Sequence, residues 1–173
     1  MVQSRRNIIL TGFMGTGKST VGRRLAARLG RRFFDTDTLI ERQAKTTISN
    51  IFSQKGEAYF RGLEKETIKR MCQKKAIVLA TGGGAIVSEE NAQRLKESGT
   101  VVCLTATPET IFERIRNNAD RPLLQGQEPL EKIRALLATR AEAYTRADLT
   151  IDTSTLDIER VVETIISLVE KSQ

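Results

Sequence analysis

The sequence predicts an α/β protein in which a parallel sheet carries helices on both faces. Three observations predict it. Short β-branched runs alternate with longer stretches of helical period. Those short runs carry few charges, as strands buried on both faces do. A glycine-rich turn leads from the first strand into the first helix.

Asn7–Thr11 (N-I-I-L-T) reads as the first strand. Lys18–Leu29 puts Val21, Leu25, Ala26 and Leu29 at helical spacing, with Gly30 as C-cap. Arg32–Asp35 is a short second strand. Residues 38–70 read as helices broken near 46–47 and around 54–56. The run A-I-V-L-A-T at 76–81 is a buried strand ending in three glycines. A helix at 88–97 and a strand at 100–105 follow. Thr107, Pro108 and Glu109 supply an N-cap, a proline at N1 and a first-turn acid, so a helix begins there and fades near 117–118. Residues 120–129 lack periodicity and read as a surface loop. Residues 130–145 are helical, Leu149–Asp152 is the last strand, and Ile158, Val161, Val162, Ile165 and Val169 mark a final helix. No repeat, linker or low-complexity tract interrupts the pattern, so residues 1–173 form one domain.

Composition narrows the chemistry. The 173 residues include 28 basic and 21 acidic side chains, a formal charge of +7, and no histidine. Ser-His-Asp catalysis and histidine-ligated metals are therefore excluded. A bound metal would be a hard ion with oxygen ligands, such as Mg²⁺. Cys72 and Cys103 lack C-x-x-C spacing and read as reduced thiols. The N-terminal segment is too short in apolar residues for a signal-peptide core, and no run approaches the roughly 20 apolar residues of a membrane span. A cytoplasmic protein is expected, with no membrane partner. The positive charge suits either nucleic acid or small anions.

Residues 12–19, G-F-M-G-T-G-K-S, match the phosphate-binding pattern G-x-x-x-x-G-K-[ST]. They lie after a strand and before a helix, as the mechanism requires. Backbone N–H groups around Gly12, Met14, Gly15, Thr16 and Gly17 can aim at phosphate oxygens, and the helix dipole adds to them. Thr20 continues the same helix start. Lys18 would reach the β- and γ-phosphates, and Ser19 would ligate Mg²⁺. The chain is expected to bind a nucleoside triphosphate.

Other residues must decide the fate of the γ-phosphate. Asp35 and Asp37 are two apart, and on a strand they would share a face at the carboxyl edge of the sheet. One acid near Mg²⁺ and one near an acceptor hydroxyl suits phosphoryl transfer. Capping of the next helix is an equally good reading of Asp37 alone. The run Gly82, Gly83, Gly84 fits close approach of a ligand or a backbone, or else a flexible turn. Arg61 and Glu64 could be an ordinary surface pair, as could Arg140 and Tyr144. Arg114, Arg116 and Arg121 flank or enter the irregular loop. They suggest a lid over residues 114–129, or a solvated charged loop.

In chain order, the G-T-G-K-S ending, D-T-D, F-R-x-x-E at residues 60–64, T-G-G-G at 81–84, R-P-L-L at 121–124 and R-x-x-x-Y at 140–144 resemble shikimate kinases over nearly the whole chain. The resemblance implies the P-loop fold of the nucleoside-monophosphate-kinase type, with strand order 2-3-1-4-5, a shikimate-binding helical region at about 38–70 and a mobile lid. It implies Mg²⁺-dependent transfer of the ATP γ-phosphate to the 3-hydroxyl of shikimate by a monomer. In that reading Asp37 is the base and Asp35 supports Mg²⁺ through water. Arg61, Arg140 and the Gly82–Gly84 run hold shikimate, and Glu64 orients Arg61. Lys18 and Arg121 neutralise the phosphates. Arg114 lies near the adenine, as does the segment around Thr155. Two rivals stand beside it. A gluconate-kinase-like enzyme would share the carboxylated polyol acceptor. A P-loop nucleic-acid-binding protein would use the positive charge, although none of the eight aromatics interleaves with a basic run.

Overall fold

The aliphatic run N-I-I-L-T forms β1 (Asn7–Thr11) at the centre of a sheet in the computed structural model, which describes residues 6–116 and 128–171. The remaining strands are β2 (Arg32–Asp35), β3 (Ile77–Ala80), β4 (Gly99–Thr105) and β5 (Leu149–Asp152). All pair in parallel, in the order β2-β3-β1-β4-β5. That is the expected strand order.

Alternation along each strand separates two cores. Ile9, Leu79, Val101 and Cys103 point to one face, and Ile8, Leu10, Val78, Val102 and Leu104 to the other. The second face is covered by α1 (Lys18–Leu29) and α7 (Ile158–Lys171), through Val21, Leu25, Val161, Val162 and Ile165. The first is covered by α3 (Ile48–Cys72), α4 (Glu89–Ser98), α5 (Pro108–Ile115) and α6 (Pro129–Tyr144). A smaller cluster of Ile40, Ile51 and Phe60 joins α2 (Thr36–Ala44) to α3.

Helix starts follow local chemistry. Thr47, Ser88 and Thr107 each accept an N–H from three residues on, and such caps contribute about 1 kcal/mol each. The expected breaks at 46–47 and 54–56 are present. Lys45 closes α2 in the left-handed region (φ 54°), and Gly56 (φ 81°) kinks α3. One start differs: α2 begins at Thr36, two residues early, because Asp35 caps it. Strand β3 is shorter than its apolar run, since Ala76 turns the chain (φ 55°) before Ile77.

Parallel strands place every strand's carboxyl end at one edge of the sheet. The loop after β1, Asp35, the Thr81–Gly84 run, Thr105 and Thr153 all gather there. The fading of the helix at 117–118 and most of the expected 120–129 loop and 114–129 lid fall on residues 117–127, outside the described residues; at the described ends, Arg114 and Ile115 still belong to α5, and Pro129 already opens α6, where proline suits the first helical position. No helix among the described residues is long and apolar enough to cross a membrane.

Candidate active site

The loop after β1 is built on backbone contact. Gly12 has φ 129°, and a Cβ there would stand 2.1 Å from the Leu104 carbonyl oxygen of β4. Only glycine lets the loop leave the sheet at that point. Further on, Thr16 Oγ1 and Lys18 Nζ both donate to the Phe13 carbonyl at 2.8 Å. Lys18 therefore folds over the loop that its charge would serve. Thr20 sits exposed in the first turn of α1.

Ser19 Oγ donates to Asp35 Oδ2 at 2.6 Å. The other oxygen of Asp35 accepts from the N–H groups of Asp37 (3.0 Å) and Thr38 (3.3 Å). The capping acid is thus Asp35 and not Asp37. Asp37 also does not share a strand face with Asp35, because the strand has ended and Asp37 lies in the first turn of α2. Asp35 still meets the loop serine, so capping and site are one arrangement. Among the described residues no cluster of three acids, cysteines or histidines could hold a metal unaided. The two oxygens of Ser19 and Asp35 suit a hard ion that takes its other oxygens from phosphates and water.

Opposite them stand two carboxyls, Glu64 buried and Asp37 half-buried. Asp37 Oδ1 and Glu64 Oε1 are buried without a hydrogen-bond partner. Both press on Gly82: a Cβ there would lie 2.8 Å from Asp37 Oδ1 and 2.9 Å from Glu64 Oε1. Burial pushes the Asp37 carboxyl up to about 6, with help from Asp35 and against the pull of Lys18. Burial likewise raises Glu64, against Arg61 and Arg140.

Arg61 donates from Nη1 to Glu64 Oε2 at 2.8 Å. Its Nε and Nη2 edge meets the exposed Glu57 at 3.3 and 3.2 Å. Glu64 is only 1% exposed, so Arg61–Glu64 is no surface pair. Gly84 makes room for the guanidinium: a Cβ there would lie 2.7 Å from Arg61 Nη2. Gly83 approaches the loop after β1, its Cβ position 3.3 Å from the Gly12 oxygen and 3.5 Å from Arg140 Nη1. The glycine run is therefore a close-approach surface and not a flexible turn. Arg140 lies over the Phe13 ring, 5.6 Å from its centroid. Tyr144 is buried, and its hydroxyl donates to the Gly83 carbonyl at 2.8 Å.

At the far end, Arg114 donates to the oxygens of Gly15 (3.2 Å) and Thr153 (2.6 Å) and to Thr153 Oγ1 (3.0 Å). The Thr153 hydroxyl lies 3.1 Å from the Thr16 carbonyl and 3.0 Å from that of Thr105. Thr155, chosen from the sequence, is exposed beside this junction. Thr153 was missed, as were the contacts of Thr36 and Tyr144. A signal existed for Thr153, the first residue past β5 on the edge where ligands bind. Arg121 lies outside the described residues.

Comparisons with known proteins point the same way. The family model for shikimate kinase matches residues 14–170. A shikimate kinase of Thermodesulfovibrio yellowstonii is 47% identical over 96% of both chains. One from Geobacter metallireducens is 47% identical over 96% of this chain and 93% of its own. Among solved structures, the shikimate kinase of Acinetobacter baumannii in complex with shikimate superposes with a TM-score of 0.93 at 41% identity, covering 98% of this chain and 95% of the other. That of Bacteroides thetaiotaomicron gives 0.89 at 33% identity, over 96% and 99% of the two chains.

Proposed function

The chain belongs to the shikimate kinase family, kinases that phosphorylate a hydroxyl of shikimate, and from that premise we propose how its own residues carry the reaction. Asp37 accepts the proton of the 3-hydroxyl as the oxygen attacks the γ-phosphorus. The new P–O bond forms as the bond to the β-phosphate oxygen breaks, giving shikimate 3-phosphate and ADP. The observation that carries this reading is the Asp37 carboxyl, partnerless at Oδ1 and held near pH 6 between the phosphate-binding loop and Gly82. A base with that acidity is largely ionised at neutral pH and can still take a proton late in a loose transition state.

Arg61 and Arg140 hold the shikimate carboxylate from α3 and α6. Glu64 fixes the inner edge of Arg61, leaving Nε and Nη2 as the fork for a carboxylate once exposed Glu57 yields. The Gly82–Gly84 backbone supports the ring. Lys18 and the N–H groups of residues 12–19, Met14 and Thr16 among them, take the β- and γ-phosphates. Arg114, Thr155 and the P-loop helix start at Thr20 border the nucleoside. Arg121 is assigned to the phosphates on its R-P-L-L motif alone, as is the lid at 114–129. Ser19 would hold Mg²⁺, with Asp35 acting through water, and the ion would supply positive charge against the transferring phosphoryl group. The same proposal makes the protein a cytoplasmic monomer that binds no nucleic acid, with residues 38–70 as the shikimate-binding region. Gluconate is disfavoured as acceptor by the family match and the F-R-x-x-E helix.

An acceptor screen tests the proposal. ADP release with ATP and Mg²⁺ is expected with shikimate, not with gluconate or nucleoside monophosphates, and is expected to stop on chelation of Mg²⁺. Turnover of gluconate without shikimate would overturn it.

A further inference from the structure

Glycine runs lack side chains to hold them and have the most conformational freedom to lose. The Gly82–Gly84 run nevertheless has to stand still, since Asp37, Glu64, Arg61 and the Gly12 carbonyl all lie within a Cβ's reach of it. Two hydroxyls hold it from opposite sides. On one side Thr36, fully buried between Asp35 and Asp37, accepts the Gly82 N–H at 3.0 Å. On the other, Tyr144 at the end of α6 donates to the Gly83 carbonyl at 2.8 Å. Arg140 stands one turn earlier on the same helix, and its charge opposes the upward push that burial gives the Tyr144 hydroxyl.

Neither hydroxyl is needed by its own helix. Asp35 already caps α2, and a phenyl ring would fill the place of Tyr144 in the core. The mechanism above uses neither. Their effect is to tie the run to the residue beside Asp37 and to the helix that carries Arg140.

We propose that Thr36 and Tyr144 are positioning residues, a two-sided brace on Gly82 and Gly83 that sets the distance between Asp37 and Arg140 across the acceptor. The proposal rests on the shikimate kinase reading. Errors of about 1 Å in such a span can cost up to about a hundredfold in rate. Because both ties hold one segment, losing the second should cost less than losing the first.

Steady-state kinetics on Thr36→Val, Thr36→Ser, Tyr144→Phe and the Val/Phe double variant test the brace. We expect Thr36→Val and Tyr144→Phe each to lower kcat/KM for shikimate about tenfold, with KM for ATP within about twofold. The double variant should fall short of the product of the two losses, and Thr36→Ser should restore kcat/KM to within about twofold. The proposal is overturned if both single variants keep kcat/KM for shikimate within twofold of wild type. It is equally overturned if KM for ATP rises as much as KM for shikimate, the mark of general loosening. Should Thr36→Val fail to fold, Tyr144→Phe decides alone: kcat/KM for shikimate within twofold of wild type overturns the brace. Failure of wild type to phosphorylate shikimate would sink the functional reading instead. Hydrogen exchange at the Gly82 amide would then decide the brace: faster exchange in Thr36→Val supports it, and unchanged exchange removes it.

Discussion

Asp37 and Arg61 show how far single side chains are bent from their ordinary behaviour. The Asp37 carboxyl sits at about 6 where the unperturbed group sits at 3.8. Above pH 6 the fold must keep a carboxylate that the unfolded chain ionises more easily. That cost is full above pH 6, shrinks as pH falls through 6 and vanishes below 3.8. At about 1.4 kcal/mol per pH unit it is at most about 3 kcal/mol, and solvent at the mouth of the site lowers that ceiling. Asp37→Asn is therefore expected to raise the melting temperature at pH 8, with little gain at pH 4, while turnover drops by about a thousandfold or more and ATP still binds. A near-normal kcat would remove Asp37 from the base role. In the wild type, kcat/KM should fall about tenfold per pH unit below 6. Arg61→Lys tests the neighbouring cation. A lysine keeps the charge beside buried Glu64 but cannot offer a fork, so KM for shikimate should rise about tenfold or more with the fold intact. An unchanged KM would refute the clamp.

At the scale of elements, two glycines of the site are there for different reasons, and alanine separates them. Gly12→Ala puts a Cβ 2.1 Å from a backbone oxygen of β4 at φ 129°, and neither strand nor loop can yield. A loss of about 3 kcal/mol or more is expected, read as a lower urea midpoint. Gly84→Ala has an ordinary φ of −102° and meets only the mobile end of Arg61. It should fold to within about 1 kcal/mol of wild type yet bind shikimate less tightly; equal damage to both variants would contradict the distinction. The same contrast marks what was legible beforehand. The order of strands and helices was readable because Gly30, Gly56, Thr107-Pro108 and the charge-poor strand runs punctuate the chain locally. Strand alternation pairs Asp37 with Asp35 only if β2 continues, and β2 ends at Asp35, whose carboxylate caps α2 instead. Thr36, Thr153 and the OH of Tyr144 were hidden for another reason. Their partners lie 46, 137 and 61 residues away in the chain, and no local pattern announces them.

For the molecule as a whole, the charge of +7 poses a question that the site does not answer by itself. Lys18, Arg61, Arg114 and Arg140 stand among Asp35, Asp37, Glu57 and Glu64, so the described charges of the site nearly cancel. Many remaining cations sit in exposed pairs, such as Arg94 with Glu90 and Arg134 with Glu109, which contribute little to stability. Attraction of two anionic substrates from a distance must then come from the net charge, and a field of that kind is screened by salt. The screening length shrinks from about 30 Å at 0.01 M to about 8 Å at 0.15 M, while direct contacts within the site are shorter than either. Raising ionic strength across that range should lower kcat/KM for ATP and for shikimate several-fold and leave kcat much less changed. If both kcat/KM values stay flat, or if neutral sucrose at matched viscosity lowers them as much as salt does, the surplus charge serves solubility and the site recruits its anions through short-range contacts alone.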